Sequence, residues 1–481
     1  LEKRDVVDPS SILERIAPSV PAPLESRHNF VRCTFATGRR EAAWFGLEAS
    51  KADPRGGLIS EKEYVAQFLK ETVAHEMGHI LGLRHNFAGS AQRTASQLRD
   101  PNLARTLGIT ASLMDYTPFN PFAVGRRDVP WFSPVAGEYD RWAIQYGYTS
   151  FAGVADPDAE RPFLARIARR SGEPGLAYQT DEAADGIDPG ITRYDLGSDP
   201  LGYWEQTLAT SRKLISTLDR RSPAVGETYW DFTRRLMQLL NTTALAGGQV
   251  SRYIGGVALG RSHRGDPFAG PVSRPVAGTE QRRALGILDR TLWAPGALSL
   301  PARYAGLLTV DPEVFPSAPG EFPVQDWLAN IGRSALRRIL SGPVLSRVAN
   351  NAAKFPRGER PFDLPELFAS LDSLLWRELA SGVSVEPRRR QLQRQHVDLV
   401  VEMVIRGGVP EDARMLAWES VERLRGRLRR ARSRDRLTRI HWADLAARVG
   451  RALDARSASG GMTAQQLLQA LSGAKETDVR R

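Results

Sequence analysis

Apolar residues recur at helical spacing between Ser60 and Gly82, before and among a group of histidines. The repeat predicts one long amphipathic helix whose apolar side chains belong to the core. The sequence Ser60-Glu61-Lys62-Glu63 matches a capping box, a common start of α-helices. We expect these residues of the helix to be buried: Tyr64, Val65, Phe68, Leu69, Val73, Met77, Ile80 and Leu81.

The second half of the chain shows the same periodicity, interrupted by loops rich in glycine and proline. Helices are predicted at four places: residues 199–218, 230–245, 279–292 and 323–340. Two further helices carry apolar stripes: Leu392, His396, Leu399 and Met403 on one, and Ala417, Val421, Leu424 and Leu428 on the other. His396 is therefore expected in the core. The second stripe indicates a solvated bundle helix, with partner binding as the alternative. His263 falls in a loop and is expected at the surface.

The residues ahead of the first predicted helix lack this periodicity and are rich in proline and turn residues. Two stretches, residues 29–35 and 42–47, are predicted as short strands because of their aromatic and β-branched content. Residues 117–122, rich in proline and aromatics, either line a cleft or pack beneath it. The patterns together predict an α+β fold, in which short strands precede the first helix and a mainly helical region follows.

The composition is that of a folded protein with more than one domain. The 481 residues are enough for two or three hydrophobic cores, and 42 % of them are hydrophobic. No apolar run approaches the ~20 residues that a membrane span requires. The single cysteine, Cys33, excludes an intrachain disulfide and leaves the compartment undecided. We expect an ordinary thiol there, with a switch that caps a metal as the alternative.

The charge pattern argues against nucleic acid as a partner. The net charge is +11, but the positive residues are almost all arginine and are spread over both halves of the chain. Four acidic residues offer oxygen ligands for calcium: Asp181, Glu182, Asp185 and Asp188. Their spacing is not that of an EF-hand, so a solvated loop is favoured over a calcium site.

Three of the seven histidines lie close together and suggest a metal site. His75 and His79 are four residues apart, so on a helix they lie on one face and can bind one ion. Gly82 can end the helix and turn the chain, which lets His85 supply a third nitrogen. Three imidazoles with a fourth position left for water are typical of catalytic zinc. Glu76 is suited to accept a proton from that water.

The run from His75 to His85 resembles the HExxHxxGxxH motif of the metzincin clan of zinc endopeptidases. The sequence Ser112-Leu113-Met114-Asp115-Tyr116 is similar to the methionine turn of the astacin and serralysin branches. The resemblance implies that Met114 forms an apolar floor under the histidines. It also implies that Tyr116 lies beside the zinc, as an oxyanion donor or an extra ligand. Residues 139–148 resemble the helix that closes metzincin catalytic domains.

A narrower resemblance involves three further stretches: His85-Asn86-Phe87, Met114-Asp115-Tyr116 and Asp195-Leu196-Gly197-Ser198-Asp199-Pro200. These resemble large bacterial metzincin-like proteins formerly described as domains of unknown function. We therefore expect a peptidase domain at residues 1–150, a connector at 151–198 and a helical region at 199–481, with a division near 262–280. The resemblance implies export by a bacterium.

The start of the chain suggests an incomplete domain. It begins at Leu1 without a signal sequence, and only 74 residues precede His75. We expect the C-terminal portion of a longer protein, with part of the upstream sheet missing.

The predicted activity is hydrolysis of polypeptide substrates, with one zinc ion per chain and Glu76 as the general base. Two alternatives stay open. The first is a zinc-binding protein that does not cleave and serves as a scaffold or binds peptides, although the intact Glu76 argues against it. The second is a zinc hydrolase of another amide or ester, because the ligands determine the chemistry rather than the substrate. No oligomeric state follows from the sequence.

Overall fold

The computed structural model describes residues 35–54, 59–154, 156–311, 322–355 and 357–458. These residues form two compact units. The first contains the described residues up to Leu214 and the returning segment Ala258–Arg274. The second contains Ile215–Val257 and the described residues from Pro275 onward. Residues 151–198, for which the sequence predicts a connector, lie inside the first unit.

The first unit consists of helices joined by long irregular segments. Its α-helices are α1 (Phe35–Lys51), α2 (Glu61–Ile80), α3 (Ala95–Arg99), α4 (Pro101–Thr106), α5 (Glu138–Tyr148), α6 (Pro157–Ala168) and α7 (Pro200–Ser216). Short 3-10 helices occur at Ser90–Gln92, Pro121–Ala123 and Arg169–Gly172. Residues 117–120 are buried. This favours packing inside the unit over the lining of an open cleft.

Residues 42–47 belong to helix α1, so the strand predicted there is wrong. Arg39, Ala43, Gly46 and Ser50 are buried and recur at intervals of four, three and four residues, which is the spacing of one helix face. The hydroxyl of Tyr64 in α2 donates to the backbone carbonyl of Ala43 at 2.7 Å. The other predicted strand, residues 29–35, lies outside the described residues except for Phe35. The described residues hold no strand ahead of α2.

Helix α2 begins at the predicted cap, where Ser60 Oγ accepts a bond from the backbone amide three residues on. Its buried residues are Tyr64, Phe68, Glu71, His75 and Gly78. Several apolar residues predicted as core are exposed instead: Leu69, Val73, Met77, Ile80 and Leu81. Val73 is 60 % exposed and Ile80 is 74 % exposed. The prediction fails because the polar residues Glu71 and His75 occupy the buried side, where they have hydrogen-bond partners.

The second unit is helical and contains the helices that the periodicity predicts, except the one at residues 199–218, which corresponds to α7. Its α-helices are α8 (Tyr229–Ser251), α9 (Gly278–Leu288), α10 (Val324–Ile339), α11 (Gly342–Ala352), α12 (Leu364–Leu375), α13 (Glu378–Ser381), α14 (Pro387–Arg406), α15 (Glu411–Arg430) and α16 (Arg436–Ala458). A π-helical turn follows α9 at Asp289–Trp293. Short 3-10 helices lie at Leu218–Arg220 and Ala302–Gly306. Helices α14, α15 and α16 pack pairwise, and α10 packs against α8 and α14.

Two histidines outside the cluster, His396 and His263, lie where the sequence places them. His396 is buried in α14, and the indole nitrogen of Trp376 donates to its Nδ1 at 3.1 Å. The side chain of His263 is 90 % exposed. The α15 stripe is buried at all four of its positions. It therefore packs inside the unit.

Strands β1 (Val257–Leu259) and β2 (Ser273–Pro275) form a two-stranded sheet. Backbone bonds from Gly260 to Val272 and from Val276 to Gly256 show that the strands are antiparallel. The described residues thus form a mostly helical fold with a small sheet in the glycine- and proline-rich stretch, rather than a sheet ahead of α2. Among them, no helix has both the length and the apolar character needed to cross a membrane.

Candidate metal centre

Helix α2 and the turn that follows it bring three histidines together. His75 and His79 lie one turn apart on α2. After the helix, Gly82 adopts φ +79°, a left-handed conformation that favours glycine. Backbone bonds from Gly82 to His79 and from Leu83 to Gly78 close the turn. One ring nitrogen from each of His75, His79 and His85 lies within 4.8 Å of the others.

Each imidazole is oriented by a bond at its Nδ1 atom. His75 Nδ1 lies 2.7 Å from the backbone oxygen of Leu113, and His79 Nδ1 lies 3.0 Å from that of Leu83. His85 Nδ1 lies 2.8 Å from Oδ1 of Asp181. Because carbonyl and carboxylate oxygens only accept hydrogen bonds, the proton of each ring is on Nδ1. The Nε2 atoms are therefore left to bind a metal.

Burial favours the neutral form of the histidines that metal binding requires. It lowers the pKa of His75 to about 3, although the bond to the Leu113 carbonyl acts in the opposite direction. Burial also lowers the pKa of His85, with the hydrogen bond and charge of Asp181 opposing it. These two rings are accordingly uncharged at neutral pH.

The distance between two ring nitrogens fits two ligands of one cation. His79 Nε2 and His85 Nε2 lie 3.1 Å apart. When both rings are neutral and protonated at Nδ1, these atoms are both acceptors, and their lone pairs repel unless a cation lies between them. Zinc binds histidine nitrogens at about 2.0–2.1 Å with tetrahedral geometry, which places two such nitrogens about 3.3 Å apart. The three residues therefore fit a zinc ion.

Met114 packs against α2 between the first two histidines. A Cβ atom at Gly78 would lie 2.2 Å from Met114 Sδ, so a glycine at this position gives the methionine its room. Met114 is buried and follows Leu113, whose carbonyl holds His75. The methionine thus lies against the helix segment that carries the first two histidines.

Tyr116 lies beside the third histidine. Its hydroxyl is 3.1 Å from His85 Nε2, and its buried ring makes an edge contact with the His85 ring at a centroid distance of 4.8 Å. The ring also contacts Phe87, with centroids 5.0 Å apart. The hydroxyl is thus within reach of the position where the histidine nitrogens converge.

A buried carboxylate at the start of α5 shapes the turn that holds His75. Asp140 accepts bonds from Ser112 Oγ at 2.7 Å and from the backbone amide of Leu113 at 2.8 Å. Asp140 also accepts a bond from the backbone amide of Gly137, the N-cap residue of α5. Burial raises the pKa of Asp140 despite these bonds. Leu113, whose carbonyl bonds His75, is therefore positioned by helix α5.

Asp115 fixes the other end of the same turn. Its Oδ2 accepts a bond from the backbone amide of Ser90 at 2.7 Å, and Ser90 Oγ donates to Asp195 at 3.0 Å. Burial raises the pKa of Asp115 to about 7. Ser90 is thereby bonded to two segments that lie 25 and 105 residues after it in the sequence.

Glu71, one helical turn before His75, anchors α2. It is 1 % exposed, and its Oε1 accepts from Arg39 at 2.6 Å and from Thr117 Oγ1 at 2.6 Å. Its Oε2 accepts from the backbone amide of Ser133 at 2.5 Å. The site helix is therefore tied to α1, to the residue after Tyr116 and to the segment ahead of α5.

The acidic residues predicted as a solvated loop each have a separate partner. Asp181 bonds His85, Glu182 pairs with Arg84 at 2.8 Å, and Asp185 pairs with Arg193 at 3.1 Å. Asp188 is buried and accepts from the backbone amide of Leu259 at 2.8 Å. The solvated-loop prediction is therefore wrong for Asp181 and Asp188, because folding places a polar group opposite each carboxylate.

The sequence did not single out Glu71 or Asp140, and it missed the role of Asp181. Charge and spacing give no signal, because each carboxylate has a partner at least 28 residues away in the sequence. Of the predicted residues, Glu76 lies next to His75 on α2 with an exposed side chain. Cys33 lies outside the described residues.

A cavity of about 1090 Å³ adjoins the turn between the second and third histidines. Its wall includes the turn residues 81–84 and five aromatic residues: Tyr139, Trp142, Tyr146, Tyr148 and Tyr178. The rings of Tyr139 and Tyr178 stack with centroids 5.4 Å apart. None of the three histidines lines the cavity. It is therefore a neighbour of the metal centre and not the centre itself.

The Met-zincin family model matches residues 59–382, which is more than half of the chain. The match includes the histidines and Tyr116, and it extends into the helical second unit. No curated protein and no solved structure matches the chain. The family match confirms the metzincin resemblance found in the sequence. The chain belongs to the Met-zincin family, a family of metzincin-type zinc metallopeptidases.

Proposed function

We propose that this chain is a zinc-dependent endopeptidase in which His75, His79 and His85 bind one zinc ion and Glu76 is the general base. The proposal is carried by the facing Nε2 atoms of His79 and His85, 3.1 Å apart on rings that donate from Nδ1. Membership of the family supports zinc as the cation and a polypeptide as the substrate.

Each residue of the site has a separate role in peptide hydrolysis. When bound, zinc supplies a Lewis acid that lowers the pKa of its water toward neutrality. Glu76 takes the proton from the attacking water and passes it to the leaving amine. Its exposed position beside His75 leaves the carboxylate accessible to water and substrate. Gly82 and Met114 keep the three imidazoles in place.

The test compares wild type with Glu76→Gln and His79→Ala for zinc content and for cleavage of casein. Glu76→Gln is expected to retain about one zinc ion per chain and to lose activity by at least about 100-fold, because the amide cannot accept the proton. His79→Ala is expected to lose both zinc and activity. Glu61→Gln, an exposed carboxylate at the start of α2, is the matched control and should leave both unchanged.

The outcomes separate the proposal from its alternatives. Activity that disappears with a zinc chelator and in Glu76→Gln supports the peptidase. A Glu76→Gln variant with full activity would remove the assigned base. A wild type that binds zinc but cleaves neither peptides nor simple esters would favour a binding protein, and a chain without zinc would contradict the metal centre.

Tyr116 is proposed to donate a hydrogen bond to the oxyanion of the tetrahedral intermediate. Its hydroxyl lies close enough to the ligand nitrogens to reach a carbonyl oxygen bound there. Tyr116→Phe should lower kcat by about 100- to 1000-fold, the usual effect of losing one oxyanion donor. Unchanged zinc affinity in this variant would support the donor role, whereas weakened affinity would indicate that Tyr116 is an additional ligand.

A further inference from the structure

The three imidazoles are held by different kinds of acceptor. His75 and His79 are part of α2, and each donates to a neutral backbone carbonyl. His85 lies beyond the end of the helix, and its Nδ1 donates to the carboxylate of Asp181 at 2.8 Å. The histidine that no helix holds is thus the one with a charged partner.

Asp181 is itself held by its surroundings. Its Oδ2 accepts a bond from Thr180 Oγ1 at 3.3 Å and lies 3.6 Å from the guanidinium of Arg84. The chain before Asp181 pairs with the chain after His85, because Phe87 donates its backbone amide to the Gln179 carbonyl at 2.7 Å. The Asp181 side chain is only 22 % exposed. The pairing of these two backbone segments therefore places the Asp181 carboxylate beside His85.

The side chain of Asn86 strengthens that pairing. Its amide nitrogen donates to the Ala177 carbonyl at 3.0 Å, and its oxygen accepts from the Gln179 backbone amide at 3.1 Å. Its own backbone amide donates to the carbonyl of Met114. A residue next to His85 thus connects the segment of Asp181 with the turn of Met114.

We infer that Asp181 is a positioning residue that sets the orientation and the donor strength of His85 toward the metal. This inference rests on the proposed zinc site. A carboxylate bonded to Nδ1 fixes the proton there and keeps Nε2 available as the ligand atom. Its negative charge also makes the imidazole a stronger donor, which a neutral carbonyl does less well.

The experiment measures zinc affinity by competition with a chromophoric chelator, using the full chain. Asp181→Ala should weaken zinc binding by about 10- to 100-fold, as is typical when such a partner of a metal-bound histidine is removed. Asp181→Asn should weaken it less, because the amide oxygen can still accept from Nδ1. Glu182→Gln is the matched control, since Glu182 is the neighbouring acid and pairs with Arg84 at 2.8 Å. It removes one negative charge but leaves Asp181, and its affinity should match wild type.

Two further measurements distinguish positioning from a general structural role. The visible spectrum of the Co²⁺-substituted protein should change in both Asp181 variants, because it reports the arrangement of the ligands. Urea unfolding of the metal-free proteins should have the same midpoint as wild type. Equal losses of affinity in Glu182→Gln, or a parallel loss of stability in the metal-free Asp181 variants, would overturn the inference. Unchanged zinc affinity in Asp181→Ala would also overturn it, whereas a wild type without zinc affinity would refute the proposed function instead.

Discussion

The two units of the molecule are ordered by different interactions. In the first, irregular segments are joined by buried carboxylates, which accept hydrogen bonds from residues far away in sequence: Glu71, Asp115, Asp140 and Asp195. In the second, long helices pack through periodic apolar residues that are almost fully buried, such as Leu336, Val397, Val400, Leu424 and Leu445. The proposed catalytic site needs polar groups in fixed places, and buried polar groups of the first unit provide that order.

The second unit also contains a buried ion pair. Unlike Glu71 of the first unit, its carboxylate and its arginine belong to helices that follow each other along the chain. Arg389 and Glu378 make two bonds of 2.6 and 2.7 Å, and Arg389 also donates to the backbone carbonyls of Trp293 and Leu375. Glu378 belongs to α13 and Arg389 to α14, which are neighbours along the chain. In the first unit, Glu71 instead connects α2 with three separate segments. Loss of a carboxylate should therefore disturb the first unit more widely.

Removing the Glu71 carboxylate is expected to have the largest effect on stability. Glu71→Ala leaves the buried Arg39 without its carboxylate, and breaking a buried pair in this way typically costs about 3–5 kcal/mol. Zinc content should also fall, since His75 follows Glu71 by one helical turn. Urea unfolding followed by circular dichroism, together with metal analysis, measures both effects. Glu61→Gln on the same helix is the exposed control and should change stability by less than about 0.5 kcal/mol.

A core substitution in the second unit should destabilise the protein to a similar extent but leave the metal site intact. Leu371 in α12 is fully buried, and Leu→Ala at such positions costs about 2–5 kcal/mol through lost burial and a residual cavity. The proposed histidine ligands belong to the first unit, so zinc affinity at low temperature should equal that of wild type. Met415→Ala, at a residue 56 % exposed, is the control. A large loss of zinc affinity in Leu371→Ala would contradict the distinction between the two units.

The same distinction explains what the sequence predicts well. The helices of the second unit follow from local periodicity, because apolar residues at helical spacing are there the buried ones. The histidine cluster can also be predicted from the sequence. The spacing of His75 and His79 and the turn at Gly82 are both local features. In α2, however, the apolar pattern indicated the wrong face. Val73 is exposed and Glu71 is buried, because hydrogen-bond partners from other segments stabilise the glutamate.

The partner of His85 could not be found in the same way. Asp181 lies 96 residues after His85, and its sequence neighbours are equally acidic. Only the path of the chain brings one of them to the imidazole. Helix α1 is not predicted for a related reason: apart from Phe45, the residues of this helix that are described as buried are small or polar, such as Gly46 and Ser50, and they give a weak apolar signal.

Acid should destabilise the second unit through a buried histidine. His441 is 4 % exposed, its Nε2 bonds Gln393 Oε1 at 3.0 Å, and burial lowers its pKa from 6.5 to about 4. The unfolded chain binds a proton at this residue below about pH 6.5, whereas the native state binds it only near pH 4. Stability is therefore present above pH 6.5 and decreases as the pH falls toward 4, by up to about 3 kcal/mol.

Urea unfolding between pH 4 and 7.5, with a chelator present to remove metal effects, measures this dependence. His441→Gln should flatten part of the profile, while His396, whose pKa burial also lowers, retains its share. His263→Gln is the matched control because that side chain is 90 % exposed, and its profile should follow wild type. A His441→Gln profile as steep as that of wild type would show that His441 is not a source of the acid sensitivity.

The smallest expected effect concerns the left-handed backbone at Gly82. This feature depends on neither the buried carboxylates nor the apolar packing. Gly82 has φ +79°, and a Cβ atom there would meet no other atom within 4 Å. The cost of Gly82→Ala is therefore that of the left-handed backbone alone, about 1–2 kcal/mol. Gly82→Asn should cost less, because asparagine adopts this conformation more readily. Zinc affinity should fall in the same order, since a relaxed turn moves His85 away from His79. If neither alanine nor asparagine weakened zinc binding, the turn would not control the position of His85, and the bond to Asp181 would be enough to hold it.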